Sequence, residues 1–201
     1  MSDGQTETER RERFIAKVRA AQPVATLKPE VPLFPVTDVR SAKERFEAAL
    51  AVMGGQSLTL ENLADLSEWI EERFGATAIV CSAVAEVSGN RALDSTTVPA
   101  SLADVDVGIV RARFGVAETG SLWFSETEYR VNALGYLPQH LVVLLNDGDL
   151  LDGLQDVYRK TDFYTARYAA LVTGPSATAD IEGVMIRGAQ GVRSLTVVWG
   201  K

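Results

Sequence analysis

Two short polar stretches hold the residue types that chemistry needs. One is Thr173-Gly174-Pro175-Ser176-Ala177-Thr178, followed closely by Asp180 and Glu182. An apolar run, Tyr168 to Val172, precedes it. Ile181, Val184, Met185 and Gly188 follow at i, i+3, i+4 and i+7. The pattern predicts a buried strand, a tight loop, and a helix over about Ala179 to Gly188. In open α/β sheets ligands bind outside the carboxyl ends of strands, near helix amino ends. Gly174 permits close backbone approach, Pro175 fixes the turn, and Ser176 and Thr178 offer hydroxyls. The free amides of the first helical turn could hold an anion. Asp180 and Glu182 would share that turn, where carboxylates favour the positive helix end and repel an anionic ligand. Two readings stand: a small-ligand site in which one carboxylate caps and the other faces a pocket, or simply a well-capped helix after a tight loop.

The other stretch is Glu118-Thr119-Gly120-Ser121, between the apolar segments Phe114–Ala117 and Ser121–Phe124. A three-residue loop with Gly at its last position suits a β-hairpin closed by a type I turn and a G1 bulge. It either brings the Glu118 carboxylate and Thr119 hydroxyl to the strand ends, or is a surface turn in which Glu, Thr and Gly are ordinary.

Other single residues carry weaker signals. His140 opens an apolar run. It could act as a general base near neutrality, or hydrogen-bond at a strand edge. Ser176 is no triad nucleophile, because GPSAT is not G-x-S-x-G. Cys81, within an apolar run, reads as a small buried hydrophobe. Arg111 and Arg113 alternate on a strand-like stretch. They could grip a carboxylate bidentately or be solvated strand-face charges. Asn146-Asp147-Gly148-Asp149 lacks the rest of a calcium loop and reads as a turn plus N-cap. No P-loop or Gly-rich dinucleotide fingerprint occurs.

The elements that must position these residues follow from periodicity and punctuation. Residues 1–21 form a helical arm with Phe14, Ile15, Val18 and Ala21 at helical spacing amid Arg and Lys. Residues 22–38, with Pro23, Pro29, Pro32 and Pro35, form a connector that cannot be helical throughout. Residues 39–201 make one domain. It opens with a helix from Asp38 or Ser41 to Met53, stopped by Gly54-Gly55, and another from Thr59 or Asn62 to Phe74-Gly75. Four nearly continuous apolar runs follow: Thr77–Cys81, His140–Leu145, Tyr168–Val172 and Ser194–Trp199. Runs without polar alternation suit parallel strands covered on both faces. Asp149 is placed to cap a helix over Leu150–Tyr158. Strand–helix–strand alternation predicts an α/β domain with a mainly parallel central sheet and one antiparallel hairpin inserted into it.

Composition removes several classes of function. The chain has 201 residues, enough for one core without staples. One Cys excludes an internal disulfide and any Cys-ligated iron–sulfur cluster built by this chain alone, and one His excludes a multi-His metal site. A net charge of −7 leaves no broad basic field for nucleic acid. The polar start, Met1 to Arg13, has no secretory h-region, and no apolar stretch is long enough to span a membrane. The expected location is the cytoplasm.

Four segments together resemble the LUD-domain family, the LutC/YkgG-type lactate utilisation proteins. They are RERFIAKVRAA near the amino end, DVGIVRARFGVAETGSLWF at 106–124, LPQHLVVLL at 137–145, and TGPSATADIEGVMIRGAQGVRSLTVVWGK at 173–201. The AETGS and TGPSxTADIE pair is the most specific part. The resemblance implies a three-layer α/β/α sandwich of the NagB/RpiA/CoA-transferase type. It also implies a part in oxidising L-lactate to pyruvate with partner proteins that carry iron–sulfur centres, this chain holding none. Ala177 stands where relatives often carry a basic residue.

The combined expectation is a pocket shared by the two polar bends. In its catalytic form Glu118 or Asp180 is the acid–base group, while Thr119, Gly120, Gly174, Pro175, Ser176, Thr178 and Glu182 bind a small carboxylate. The alternatives are a free-standing NagB-like enzyme acting on a sugar phosphate or CoA ester, and a non-catalytic protein that docks on a partner subunit.

Overall fold

The computed structural model describes residues 6–24, 26–27, 29–30, 32, 34–179 and 183–200. The chain divides into two compact units, residues 1–34 and 35–201. In the first, helix α1 spans Glu7–Ala20 and starts with a capping box between Thr6 and Glu9. The described residues between Gln22 and Asp38 form neither helix nor strand.

The second unit is built on a five-stranded, wholly parallel sheet: β1 (Gln56–Thr59), β2 (Val80–Ser82), β3 (Val107–Arg111), β6 (His140–Leu145) and β11 (Ser194–Trp199), in the order β1-β11-β6-β3-β2. Helix α2 (Ala42–Val52) begins at Ser41, whose hydroxyl takes the Glu44 amide while Glu44 returns to the Ser41 amide. Helix α3 (Leu66–Phe74) follows a single 3₁₀ turn capped by Asn62. Alternate residues along β6 divide between the faces. Val142 and Leu144 pack under Leu66 and Ile70 of α3, whereas Leu141, Val143 and Leu145 join Phe46 and Leu50 of α2.

The hairpin expected from Phe114 to Phe124 forms, as β4 (Phe114–Val116) and β5 (Ser121–Ser125). It is not inserted into the parallel sheet. With β7 (Leu150–Leu151) and β8 (Ala169–Val172) it makes a second sheet of order β7-β4-β5-β8. That sheet lays Leu122 and Phe124 on the α2 side of the core. It puts Phe114 and Trp123, stacked at 5.4 Å, on its other face. Short helices α4 (Glu126–Tyr129), α5 (Leu154–Val157) and α6 (Asp162–Thr165) connect these strands.

Three sequence expectations are overturned here. Tyr168–Val172 is a strand, but β8 runs antiparallel to β5 and is only half-buried. Leu150–Tyr158 is not one helix capped by Asp149. Leu150 and Leu151 extend beside β4, where the Ala117 amide donates to the Leu151 carbonyl at 2.8 Å, and α5 starts only after Gly153. Pairing to an otherwise open β4 edge outweighs the local helical spacing. The segment after Thr178 is not a helix to Gly188 either: β9 (Ala177–Thr178) pairs antiparallel with β10 (Ile186–Arg187). Asp180, Ile181 and Glu182 lie outside the described residues.

His140 sits at the start of β6, its Nδ1 2.7 Å from Ser194 Oγ and its ring 4.5 Å from that of Phe74. Burial, with Arg193 and Arg73 nearby and only Asp106 opposing them, lowers its pKa. Above the ordinary His value near 6.5 both folded and unfolded chains are neutral there. As pH falls below it, the unfolded chain takes the proton first, so stability declines. Urea unfolding between pH 7.5 and 5.5 is expected to show this decline in the wild type and a flatter profile in His140→Gln.

Candidate functional site

The two polar bends do meet. The Thr119 hydroxyl donates to Ser121 Oγ at 2.8 Å, and Ser121 Oγ lies 2.5 Å from Thr173 Oγ1. Gly120 (φ +66) and Gly174 (φ +67) both press against the carboxyl end of α2. A Cβ on Gly120 would stand 2.4 Å from the Leu50 nitrogen, and one on Gly174 would stand 2.6 Å from the Met53 carbonyl oxygen. This junction fastens the second sheet to α2. Its hydroxyls bond to one another, and Gly120, Ser121, Gly174 and Pro175 are buried.

The remaining predicted residues lie around it. The Ser176 amide donates to the Val192 carbonyl at 2.9 Å, its carbonyl accepts from the Gly188 amide at 2.7 Å, and its hydroxyl donates to the Gln190 carbonyl. Ser176 and Thr178 line a cleft of about 440 Å³ with Val184, Ile186 and Gln190. Glu118 is exposed and turned elsewhere: its carboxylate accepts from the Leu154 amide, the first of α5, at 2.9 Å. The structure therefore brings Thr119, Gly120, Ser121, Thr173 and Gly174 together, and ties Glu118 to α5.

The position of the junction on the sheet is the more informative result. Gly174 rests on Met53 and Gly55, just before β1, and Ser176 bonds to Val192, just before β11. Both bends thus lie at the amino ends of the parallel strands. The apolar run Tyr168–Val172 reads as a parallel strand and so predicts both bends at the carboxyl ends, but β8 belongs to the second sheet.

At the carboxyl ends lies a different cleft, of about 430 Å³. Residues following β2 (Ala83 to Glu86) and at the end of β3 (Arg111 to Arg113) form its walls, with Thr127, Glu128 and Arg130 of the α4 region and Asp149 after β6. This is the rim at which parallel sheets bind ligands. Arg111 donates to Glu86 at 2.8 Å and to Asn146 Oδ1 at 3.1 Å. Its partner Glu86 is held below the ordinary carboxylate range by its own backbone amide, by Arg111 and by the Ala85 amide, against a smaller cost of burial. Arg113 donates to Glu128 at 2.9 Å and pairs with Asp162. Glu128 is fixed in turn by the Ser125 amide and hydroxyl, at 2.7 and 2.6 Å.

Arg130 differs from the other two arginines. Among the described residues its guanidinium has neither a hydrogen bond nor an ion pair. Its backbone, at φ 58° and ψ −47°, is the centre of a γ-turn of the rare positive-φ type, closed by the Val131 amide on the Tyr129 carbonyl at 2.6 Å. The fully buried Tyr129, stacked on Phe124, anchors that turn. Sequence reasoning weighed Arg111 and Arg113 but passed over Glu86, Glu128 and Arg130. The Ser125–Glu128 capping-box spacing was the one legible sign that the chain turns at this point.

The LUD-domain family model matches residues 83–199, which include both polar bends and every residue lining the carboxyl-rim cleft. The crystal structure of a DUF162-family protein from Deinococcus radiodurans is similar with a TM-score of 0.56. The likeness covers 80% of this chain and 96% of that one at 14% identity, so it speaks for the fold. No curated protein matches the chain. Among the described residues no helix is long and apolar enough to cross a membrane.

Proposed function

The chain belongs to the LUD-domain family, and from that premise we propose that it is a cytoplasmic accessory protein or subunit of L-lactate utilisation that binds a small carboxylate. The observation that carries this reading is the family match across residues 83–199. The three arginines lining one cleft of the matched region are consistent with it, since guanidinium groups suit planar carboxylates. The oxidation of lactate to pyruvate removes two electrons, and one cysteine cannot hold a cluster to receive them. In this proposal iron–sulfur partner proteins take the electrons, and this chain presents or senses the carboxylate.

Growth on L-lactate as sole carbon source tests the proposal. A deletion strain is expected to fail there, to grow normally on pyruvate, and to recover when the wild-type gene is restored. Normal growth of the deletion strain on lactate overturns the proposal. Glu118→Gln is expected to rescue fully, because the amide oxygen of Gln can still accept from Leu154. Asp180→Asn, tested beside it, asks whether a carboxylate at that position contributes.

A further inference from the structure

We infer that the carboxyl-rim cleft is a carboxylate-binding site in which Arg130 is the receiving cation and Glu86 is a built-in competitor that holds Arg111 until a ligand arrives. The inference rests on the proposed function for the identity of the ligand and on the geometry of the cleft for its place.

Three independent features support it. The cleft lies where β2, β3 and β6 end, and its lining joins small apolar residues (Ala83, Val84, Ala85 and Ala112) to charged ones, so it offers a ligand both methyl groups and charge. Arg111, Arg113 and Arg130 stand against Glu86, Glu128 and Asp149, a balance of three against three. Glu128 is locked by Ser125 and Arg113, and Asp149 accepts from Asn146 at 2.7 Å. Glu86 is the one acid whose side-chain partner across the cleft is a single arginine, and it is exposed. Its carboxylate thus occupies the place on the Arg111 guanidinium that a ligand carboxylate would take.

The third feature is the strain at Arg130. A positive-φ γ-turn at a non-glycine residue is costly, and glycine would relieve it. Arg occupies this position, at φ 58°, with a guanidinium that bonds to no described residue. A strained backbone carrying an unspent cation over a cleft is explained if the side chain, and not the turn, is what the position requires.

The purified full chain, titrated with L-lactate and with pyruvate by calorimetry, provides the test, with inorganic phosphate as a comparison anion and melting temperature followed in parallel. Arg130→Gly is expected to melt at or above the wild-type temperature and to bind the carboxylate about tenfold or more weakly, the scale of one lost charge-assisted hydrogen bond. Glu86→Gln is expected to bind about threefold or more tightly, because the competing charge is gone. Carboxylate binding that Arg130→Gly leaves intact overturns the inference while sparing the proposed function, since the site is then elsewhere. A wild-type protein that binds phosphate but neither carboxylate overturns the inference and the ligand part of the proposed function together. Glu86→Gln binding no better than wild type, or worse, overturns the competitor role.

Discussion

Gly120→Ala is expected to destabilise the protein by about 3 kcal/mol, lowering the melting temperature by about 10 °C in a thermal scan. Two costs add. At φ +66 an L side chain costs roughly 1 kcal/mol, and the new methyl group would stand 2.4 Å from the Leu50 nitrogen and 2.7 Å from its Cα. Those atoms belong to the backbone of α2 and cannot rotate away, so the hairpin tip must lift from the helix. Lifting it also separates Ser121 from Thr173. Gly183 provides the control. It has nearly the same dihedral, φ +71, but a Cβ there meets open space among the described residues, so Gly183→Ala is expected to cost only about 1 kcal/mol. Equal losses at the two positions would show that the hairpin tip is not seated on α2.

Phe46→Ala is expected to cost about 4 kcal/mol in urea unfolding. Phe46 is fully buried, meets the Trp199 ring edge-on at 5.6 Å, and lies so near β4 that a Cβ on Gly115 would stand 3.0 Å from its ring. It therefore fills the space between α2, the parallel sheet and the second sheet. Phe46→Leu, which keeps most of the volume, is expected to lose about 1.5 kcal/mol. A small loss for Ala would mean that the two sheets close over the gap without it.

The strands legible in the sequence were those whose surroundings match on both faces. His140–Leu145 and Ser194–Trp199 read as nearly continuous apolar runs and are β6 and β11, two of the three inner strands, buried between α2 and α3. Ala169–Val172 reads the same way yet pairs antiparallel in the second sheet, because an apolar run states that a strand is covered and not by which partner. The spacing of Ile181, Val184, Met185 and Gly188 suggested a buried helical face. The structure leaves Val184 and Met185 each 61% exposed, so the spacing marked no core contact.

The junction of the two bends was legible because turn residues announce themselves, and the sequence reading joined the right pair. Its rim was not legible, since that depends on β8 belonging to a second sheet. The carboxyl-rim cleft was hidden for a related reason. Glu86 and Arg111 meet through the parallel pairing of β2 with β3. Nothing in the residue type of Arg130 signals a positive φ.

A crystal of the protein grown with pyruvate or L-lactate tests the central claim most directly, that the ligand is received at the carboxyl rim by arginines. The account predicts a carboxylate within hydrogen-bond distance of the Arg130 guanidinium, with Arg111 turned to it and Glu86 released into solvent. A carboxylate bound instead among Thr119, Ser121 and Thr173, or against Ser176 and Thr178, with Glu86 still on Arg111, would contradict it.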